Sequence, residues 1–259
     1  MNYGICLLSV VPCRKEPSNA SELVTQLLFG ETYEIAEETE EWFKICTTFD
    51  SYICWLSKKQ HNSLSESTYK KINNSKVKCN GDLVQIIKNK KLNTNIPITI
   101  GSSLPLLKDH DMQLDDHHFS FDGTTADTSV KNNAQKLIQT AYLFLNSPYL
   151  WGGKSPFGID CSGFSQLVFK LNGYQIPRDA SQQVELGSPL SFVEEAEAGD
   201  LAFFDNEEGR IVHVGILLDN LSIIHASGQV RIDRFDHYGI FHSDKKKYSH
   251  NLRVIKRIL

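Results

Sequence analysis

Residues 148–171 constrain this chain more than any other stretch: a loop dense in Gly, Pro and aromatic residues, Pro148 to Asp160, runs straight into an apolar helical period. Phe164, Leu167, Val168 and Leu171 recur at the spacing of one buried helix face, and Asp160 is placed to cap the start. Cys161 therefore falls on the first turn. A helix N-terminus carries a partial positive charge and N–H groups without intrahelical partners, so a thiol there is expected to ionise more readily than a free cysteine. Cys161 is a candidate nucleophile, held by a helix that its own apolar face anchors.

The 259 residues are 41% hydrophobic and 22% charged, a globular composition long enough for two or three domains. A net charge of −4 gives no electrostatic reason to expect nucleic acid or an anionic membrane as partner. The opening Met1 to Pro12 lacks a basic start and a small-residue cleavage site, and its apolar run is too short to span a bilayer. Cysteines 6, 13, 46, 54, 79 and 161 include no C-x-x-C pair, and without Cys161 an odd five remain, which are expected to be reduced core residues. Both features point to the cytoplasm, or to a periplasmic or secreted location if a leader has been trimmed.

Along the chain, Tyr3 to about Gln60 reads as short strands, Leu23 to Phe29, Thr32 to Ala36, Trp42 to Thr47 and Tyr52 to Leu56, separated by turns. A small barrel closes them economically. Residues 61–75 are polar and read as a connection. A second, degenerate barrel is expected up to residue 122, from short runs at Leu83 to Ile87, Ile96 to Ile100, Leu104 to Leu107 and Phe119 to Phe121. The cluster His110, Asp111, Asp115, Asp116, His117 and His118 reads as a solvated loop, not a metal site, because nothing in it fixes a ligand geometry. After a linker at Gly123 to Ser129, Val130, Ala134, Leu137, Ile138, Ala141 and Leu145 predict a helix capped by Asp127 or Thr128. Asp179 and Gln182 form a capping-box pattern that predicts a short helix ending near Gly187. Beyond Gly199 everything reads as β: Leu201 to Asp205, Ile211 to Leu218, Leu221 to Ala226, Val230 to Asp233 and Leu252 to Ile258. Helices first and an antiparallel sheet after define an α+β domain over residues 127–259, preceded by barrels at 1–60 and 61–122.

A thiol nucleophile needs a base, and the base needs a group that holds it in one tautomer. His213 stands in the apolar run Ile-Val-His-Val-Gly-Ile-Leu-Leu and His225 on the next strand in Ile-Ile-His-Ala-Ser. A two-residue turn at Asp219-Asn220 would put the two rings on opposite faces. An odd turn such as Leu218-Asp219-Asn220 would pair His213 directly with His225, and this is the expected arrangement.

Taken together, Pro148-Tyr149-Leu150-Trp151-Gly152-Gly153, Asp160-Cys161-Ser162-Gly163-Phe164, Pro177-Arg178-Asp179-Ala180-Ser181-Gln182-Gln183, Ala198 to Phe204, His213-Val214-Gly215-Ile216 and His225-Ala226-Ser227 resemble the NlpC-type cell-wall cysteine peptidases. Their fold is papain-like, with helices packed on an antiparallel sheet. Phe29-Gly30-Glu31, Glu41 to Ile45 and Asp50 to Leu56 resemble bacterial SH3-like domains. The resemblance implies Cys161 as nucleophile, His213 as base and His225 as its orienting residue, with no metal or other cofactor. The layout resembles the γ-D-glutamyl-L-diamino acid endopeptidases, which act on peptidoglycan stem peptides whose L-Ala amine is free. In that subgroup an acid after Pro-Arg, matched by Asp179, and an acid from the first barrel, matched by Glu22, bind the ammonium, with Tyr52 as an aromatic wall. Tyr149 and Ser162 are candidates for the γ-D-Glu portion. The implied partner is a muropeptide, with no nucleic acid and no membrane, acted on by a monomer. A wall-peptide-binding protein without activity, or an N-acetylmuramoyl-L-alanine amidase or acyl transferase on the same fold, are the alternative functions.

Overall fold

The computed structural model describes residues 2–243 and 245–259. The N-terminal part is one seven-stranded antiparallel sheet in the order β3-β2-β6-β5-β4-β1-β7, formed by β1 (Asn2–Ile5), β2 (Val10–Arg14), β3 (Leu23–Leu28), β4 (Thr32–Glu38), β5 (Trp42–Thr47), β6 (Ile53–Ser57) and β7 (Asn62–Leu64). Its core is Cys6, Val11, Cys13, Leu27, Tyr33, Ile45, Cys54 and Leu56, which accounts for three of the cysteines. All six cysteines are free thiols.

The segment 61–75 is more than a connection. It supplies β7 and a helix, α1 (Glu66–Asn73), capped by Ser65, whose side chain accepts from the Thr68 N–H. Only Tyr69 and Ile72 of α1 are buried, and two apolar residues among eight is too faint a period to read in isolation. Next come β8 (Lys78–Asn80), β9 (Val84–Asn89), β10 (Thr94–Thr99), β11 (Ser103–Leu104), β12 (Asp111–Leu114), β13 (His117–Phe121) and β14 (Thr125–Asp127). They make two small sheets, β10-β9-β13-β12 and β11-β8-β14. The His110 to His118 cluster is therefore a hairpin and not a loop: Leu114 pairs with His117 across a turn whose Asp115 has φ of 48°. The expected linker at 123–129 likewise contains β14, which pairs with β8.

The C-terminal part holds α2 (Ala134–Tyr142), β15 (Lys154–Ser155), β16 (Gly158–Ile159), α3 (Cys161–Leu171), α4 (Ala180–Gln183) and β17 (Ser188–Pro189). Then follow β18 (Leu201–Asp205), β19 (Ile211–Leu217), β20 (Ser222–Ser227), β21 (Gln229–Asp236), β22 (Gly239–His242) and β23 (Lys247–Arg257). α2 is capped by Asn133, which accepts from the Lys136 N–H, and not by Asp127 or Thr128, whose side chains bond Ser129 and the Val77 carbonyl. α4 stops at Gln183, short of Gly187. The sheet order β17-β23-β18-β19-β20-β21-β22 closes through an additional β22–β23 pairing, so the expected antiparallel sheet forms a six-stranded barrel with β17 on its flank. Closure is possible because β23 is 11 residues long and its pairings shift register at Phe203/Phe204 and Ile240/Phe241, which bend it from one neighbour to the other.

The barrel has two apolar faces. Phe203, Val214, Ile216, Ile224, Ala226 and Val230 pack outward against Leu137 of α2 and Phe164, Leu167 and Val168 of α3. Ala202, Phe204, Leu217, Ile223, Phe235, Ile240 and Ile255 fill the interior. The outer core also takes in Leu28 from β3, and Cys79 and Ile100 from the middle sheets, so one apolar core runs through all three parts.

Candidate active site

Every residue of α3 is buried, and its first turn is fixed by a network built on Asp160. One Asp160 oxygen accepts from the Gly163 N–H at 2.6 Å, as the cap pattern predicts, and the other from the Gly152 N–H at 2.8 Å. Arg178, 1% exposed, grips the same carboxylate with two nitrogens at 3.0 and 2.7 Å, and also donates to Ser162 Oγ at 2.9 Å and Thr25 Oγ1 at 3.0 Å. The Pro-Arg motif thus ties the loop, the helix start and the N-terminal sheet together. Gly152 has a φ of +74°, and a Cβ on it would lie 2.2 Å from the Leu23 carbonyl oxygen, so the loop approaches the N-terminal sheet as closely as only glycine allows.

Cys161 is 6% exposed. Burial pushes its thiol up to about 12, and the Asp160 carboxylate adds to this, against the opposing pull of the Val214 N–H, Arg178 and the Ser162 N–H. The expectation that this thiol ionises more readily than a free cysteine is thereby corrected: the helix end and its N–H groups are present, but desolvation outweighs them. The β19–β20 ladder begins at Gly215↔His225, leaving Val214, the residue after His213, at the point where Cys161 meets the barrel.

His213 and His225 lie on one face of the hairpin, pointing into the barrel, with His213 Nε2 2.8 Å from His225 Nδ1. The turn is odd, as expected, but displaced by one residue. Leu217 pairs with Ile223 and Gly215 with His225, so the histidines meet on a diagonal and not as direct partners. Gly215 explains the shift: a Cβ there would fall 2.9 Å from His225 Cβ and 2.6 Å from Ile223 Cδ1, so only glycine gives His225 room to lean toward His213. Beyond His225, Asp233 Oδ2 lies 3.1 Å from His225 Nε2, and Arg231 donates to Asp233 Oδ1 at 2.8 Å. His250 stacks on the His213 ring, centroids 4.1 Å apart, and Phe204 lies opposite His213 across the β18–β19 ladder. No sequence motif marks Asp233 or His250. Asp233 resembles an ordinary strand end, and the available cue to it is alternation, since Asp233 shares the inward face of β21 with Phe235.

Burial holds His213 well below the ordinary imidazole range, helped by its two histidine neighbours. Burial also lowers His225, in part offset by Asp233. For Asp233, burial would raise the carboxyl, but bonds from His225 and Arg231 reverse this and bring it to about 2.

In front of Cys161 lies a cavity of about 640 Å³ between the N-terminal sheet and the C-terminal part, lined by Cys161, Ser162, Asp179, Glu22, Tyr52 and Trp151, among others. Asp179 accepts from the Tyr52 hydroxyl at 3.3 and 3.4 Å, while Gln182 reaches back to the Asp179 N–H. Burial raises the Asp179 carboxyl, with Arg178 and Tyr52 pulling it back down. Glu22 accepts from Trp151 Nε1 at 2.8 Å and from Lys15 at 3.2 Å, and both bonds lower its carboxyl. Trp151, which the sequence presents only as one letter of a loop motif, is the residue that holds Glu22 in place. Tyr149 is outside this lining: it is half-buried, packs on the core beside Cys161 and is raised to about 12 by burial and the neighbouring Cys161 and Asp160. The two histidines stand behind the cavity wall, 6% and 1% exposed.

Residues 146–248 match the NlpC/P60 family and residues 13–60 the bacterial dipeptidyl-peptidase Sh3 domain. A gamma-D-glutamyl-L-lysine dipeptidyl-peptidase of Bacillus subtilis is 48% identical over 98 residues, covering 37% of this chain and 33% of that protein, so the chain spans about a third of this relative's length. Dipeptidyl-peptidase 6 of Lysinibacillus sphaericus is 28% identical over 257 residues, covering 85% of this chain and 87% of that one. A crystal structure of an NlpC/P60 family protein from Bacillus cereus superposes with a TM-score of 0.82 at 21% identity, covering 99% of both chains, and shares the fold. Residues 146–248 thus form an NlpC/P60 domain, standing behind a bacterial dipeptidyl-peptidase SH3 domain at residues 13–60.

Proposed function

We propose that the protein is a cysteine endopeptidase that hydrolyses the γ-D-glutamyl–diamino acid bond of peptidoglycan stem peptides whose N-terminal L-Ala is free. The observation that carries this reading is the pairing, in one cavity, of a buried thiol with two carboxylates from different parts of the chain, Asp179 and Glu22. An ammonium between those carboxylates satisfies both, while an acylated nitrogen leaves their charges unpaired. The name of the Bacillus subtilis relative supports the same bond and does not favour the amidase or the inactive binding module.

In the proposed mechanism the Cys161 thiol gives its proton to His213 as sulfur attacks the γ-carbonyl carbon of D-Glu. The tetrahedral intermediate collapses to a thioester, and the His213 imidazolium protonates the departing amine of the diamino acid. Water, deprotonated by His213, then releases L-Ala-γ-D-Glu and restores the thiol. Burial raises the Cys161 thiol and lowers His213, which favours proton transfer that accompanies attack over transfer that precedes it. Ser162 contacts the γ-D-Glu portion, Tyr149 backs it from the core beside Cys161, outside the cavity lining, and Tyr52 walls the amine end. The middle sheets, read as a second SH3-like barrel, hold the first barrel in place. The setting proposed is muropeptide recycling by a cytoplasmic monomer, in keeping with six free thiols.

The test is incubation with L-Ala-γ-D-Glu-L-Lys. Release of free lysine by the native protein, abolished in Cys161→Ala with an unchanged unfolding midpoint, is the expected result. Release of L-Ala, or binding without cleavage, would overturn the reading.

A further inference from the structure

The hydrogen-bond chain that begins at His213 does not end at His225. Asp233 is 6% exposed, and its carboxylate, with Arg231 against it, takes the remaining nitrogen of His225. Both histidines are kept neutral by burial, so each carries one ring proton, and which nitrogen carries it is decided by what each can bond. An ionised carboxylate only accepts. His225 must then donate from Nε2, which leaves its Nδ1 as an acceptor; His213 must donate from Nε2, which leaves its Nδ1 with a lone pair. A reversed chain would place an N–H on His213 Nδ1 and leave it no lone pair for a proton.

We propose that Asp233 is a positioning residue that sets the tautomers of His225 and His213 in series and so leaves the His213 Nδ1 lone pair for the Cys161 proton. This rests on the reading of Cys161 and His213 as nucleophile and base. Arg231 has a supporting part: it holds both Asp233 oxygens, at 2.7 and 2.8 Å, so the carboxylate stays ionised and oriented beside a neutral imidazole. The stack of His250 on one side of the His213 ring fixes the ring plane but cannot choose a nitrogen. When His213 becomes an imidazolium, its charge is stabilised through His225 by Asp233, so the carboxylate assists at the same step. Among the described residues, the other ionisable groups facing the pair include His250 from β23, Arg231 from β21 and His242 from β22. None of these three is a carboxylate that would replace Asp233.

The experiment combines ring-nitrogen NMR of the native protein near pH 7.5 with the kinetics of Asp233→Asn on L-Ala-γ-D-Glu-L-Lys. The expected spectrum shows Nε2 protonated and Nδ1 unprotonated in both His213 and His225. The expected variant loses on the order of 10²–10⁴ in kcat with KM within about threefold, as when an orienting carboxylate is replaced by its amide elsewhere. It also shows a second tautomer at His213, a change that a merely structural role would not produce. A protonated Nδ1 at His213 in the native protein, or an unchanged kcat in a folded variant, overturns the proposal. Should Asp233→Asn fail to fold, the native spectrum still decides it. Failure of the native protein to cleave the peptide would count against the substrate assignment, while the ring-nitrogen spectrum would still decide the tautomers independently.

Discussion

Gly215 shows how one missing side chain can set a reaction's geometry. It faces His225 across the hairpin, and the pocket that its lack of a Cβ leaves lets the imidazole lean to 2.8 Å from His213. Gly215→Ala would crowd His225 and Ile223 at a cost of about 1–3 kcal/mol. It is expected to lower kcat/KM by a larger factor than that loss alone implies, because the histidine bond itself is displaced. Steady-state kinetics alongside a denaturant titration would check this, and a variant with native activity would refute the role. The acid pair predicts a pH dependence of binding. Burial raises Asp179, so on acidification its proton is taken up earlier than by an ordinary aspartate, and the ammonium then loses one of its two partners. KM is expected to rise as pH falls while Glu22, lowered by Trp151 and Lys15, stays ionised. A KM independent of pH down to the ordinary carboxylate range would argue against Asp179 as an amine ligand.

At the scale of elements, what the sequence made legible were features with a local signature. The α3 start was readable because Asp160, Cys161 and the apolar period are contiguous, and the strands β18 to β21 because their runs are long and apolar. α1 and β14 were not, since each leans on neighbours distant in sequence and carries little apolar pattern of its own. The histidine hairpin lies between these cases. An odd turn followed from the need to bring two polar rings to one face, but the one-residue displacement depended on Gly215, whose effect is steric and not visible in periodicity. The state of the thiol departs from expectation for a related reason. A helix terminus can be read from sequence, whereas the depth at which the fold buries it cannot, and desolvation prevails over the terminus at Cys161.

Across the whole molecule, the cavity exists only because the N-terminal sheet is fixed against the C-terminal part. Glu31, fully enclosed, receives Lys154 at 2.9 Å and Lys170 at 2.8 Å, and Lys170 also donates to the Gly101 carbonyl, so one carboxylate joins all three parts of the chain. Burial would raise Glu31, but the two ammonium groups outweigh it and hold it at about 2. A carboxyl lowered on folding contributes stability above its unfolded value, near 4.5, and that contribution is lost as pH falls from there toward 2. Glu31→Gln leaves two buried ammonium groups short of their counter-charge and is expected to cost about 3–5 kcal/mol at neutral pH. The loss should shrink in acid, where the native protein gives up the same interaction. An equal effect at pH 3 and pH 7 would contradict this.

The proposed free-amine requirement unites these scales, since it needs Asp179 in front of α3, Glu22 on the N-terminal part and the interface that keeps them together. Its most direct measurement is kcat/KM for L-Ala-γ-D-Glu-L-Lys against the same peptide acetylated on its alanine nitrogen. A preference for the free amine on the order of 10³-fold or more, reduced in Glu22→Gln and in Asp179→Asn, is the predicted result. Equal cleavage of the two peptides would contradict it.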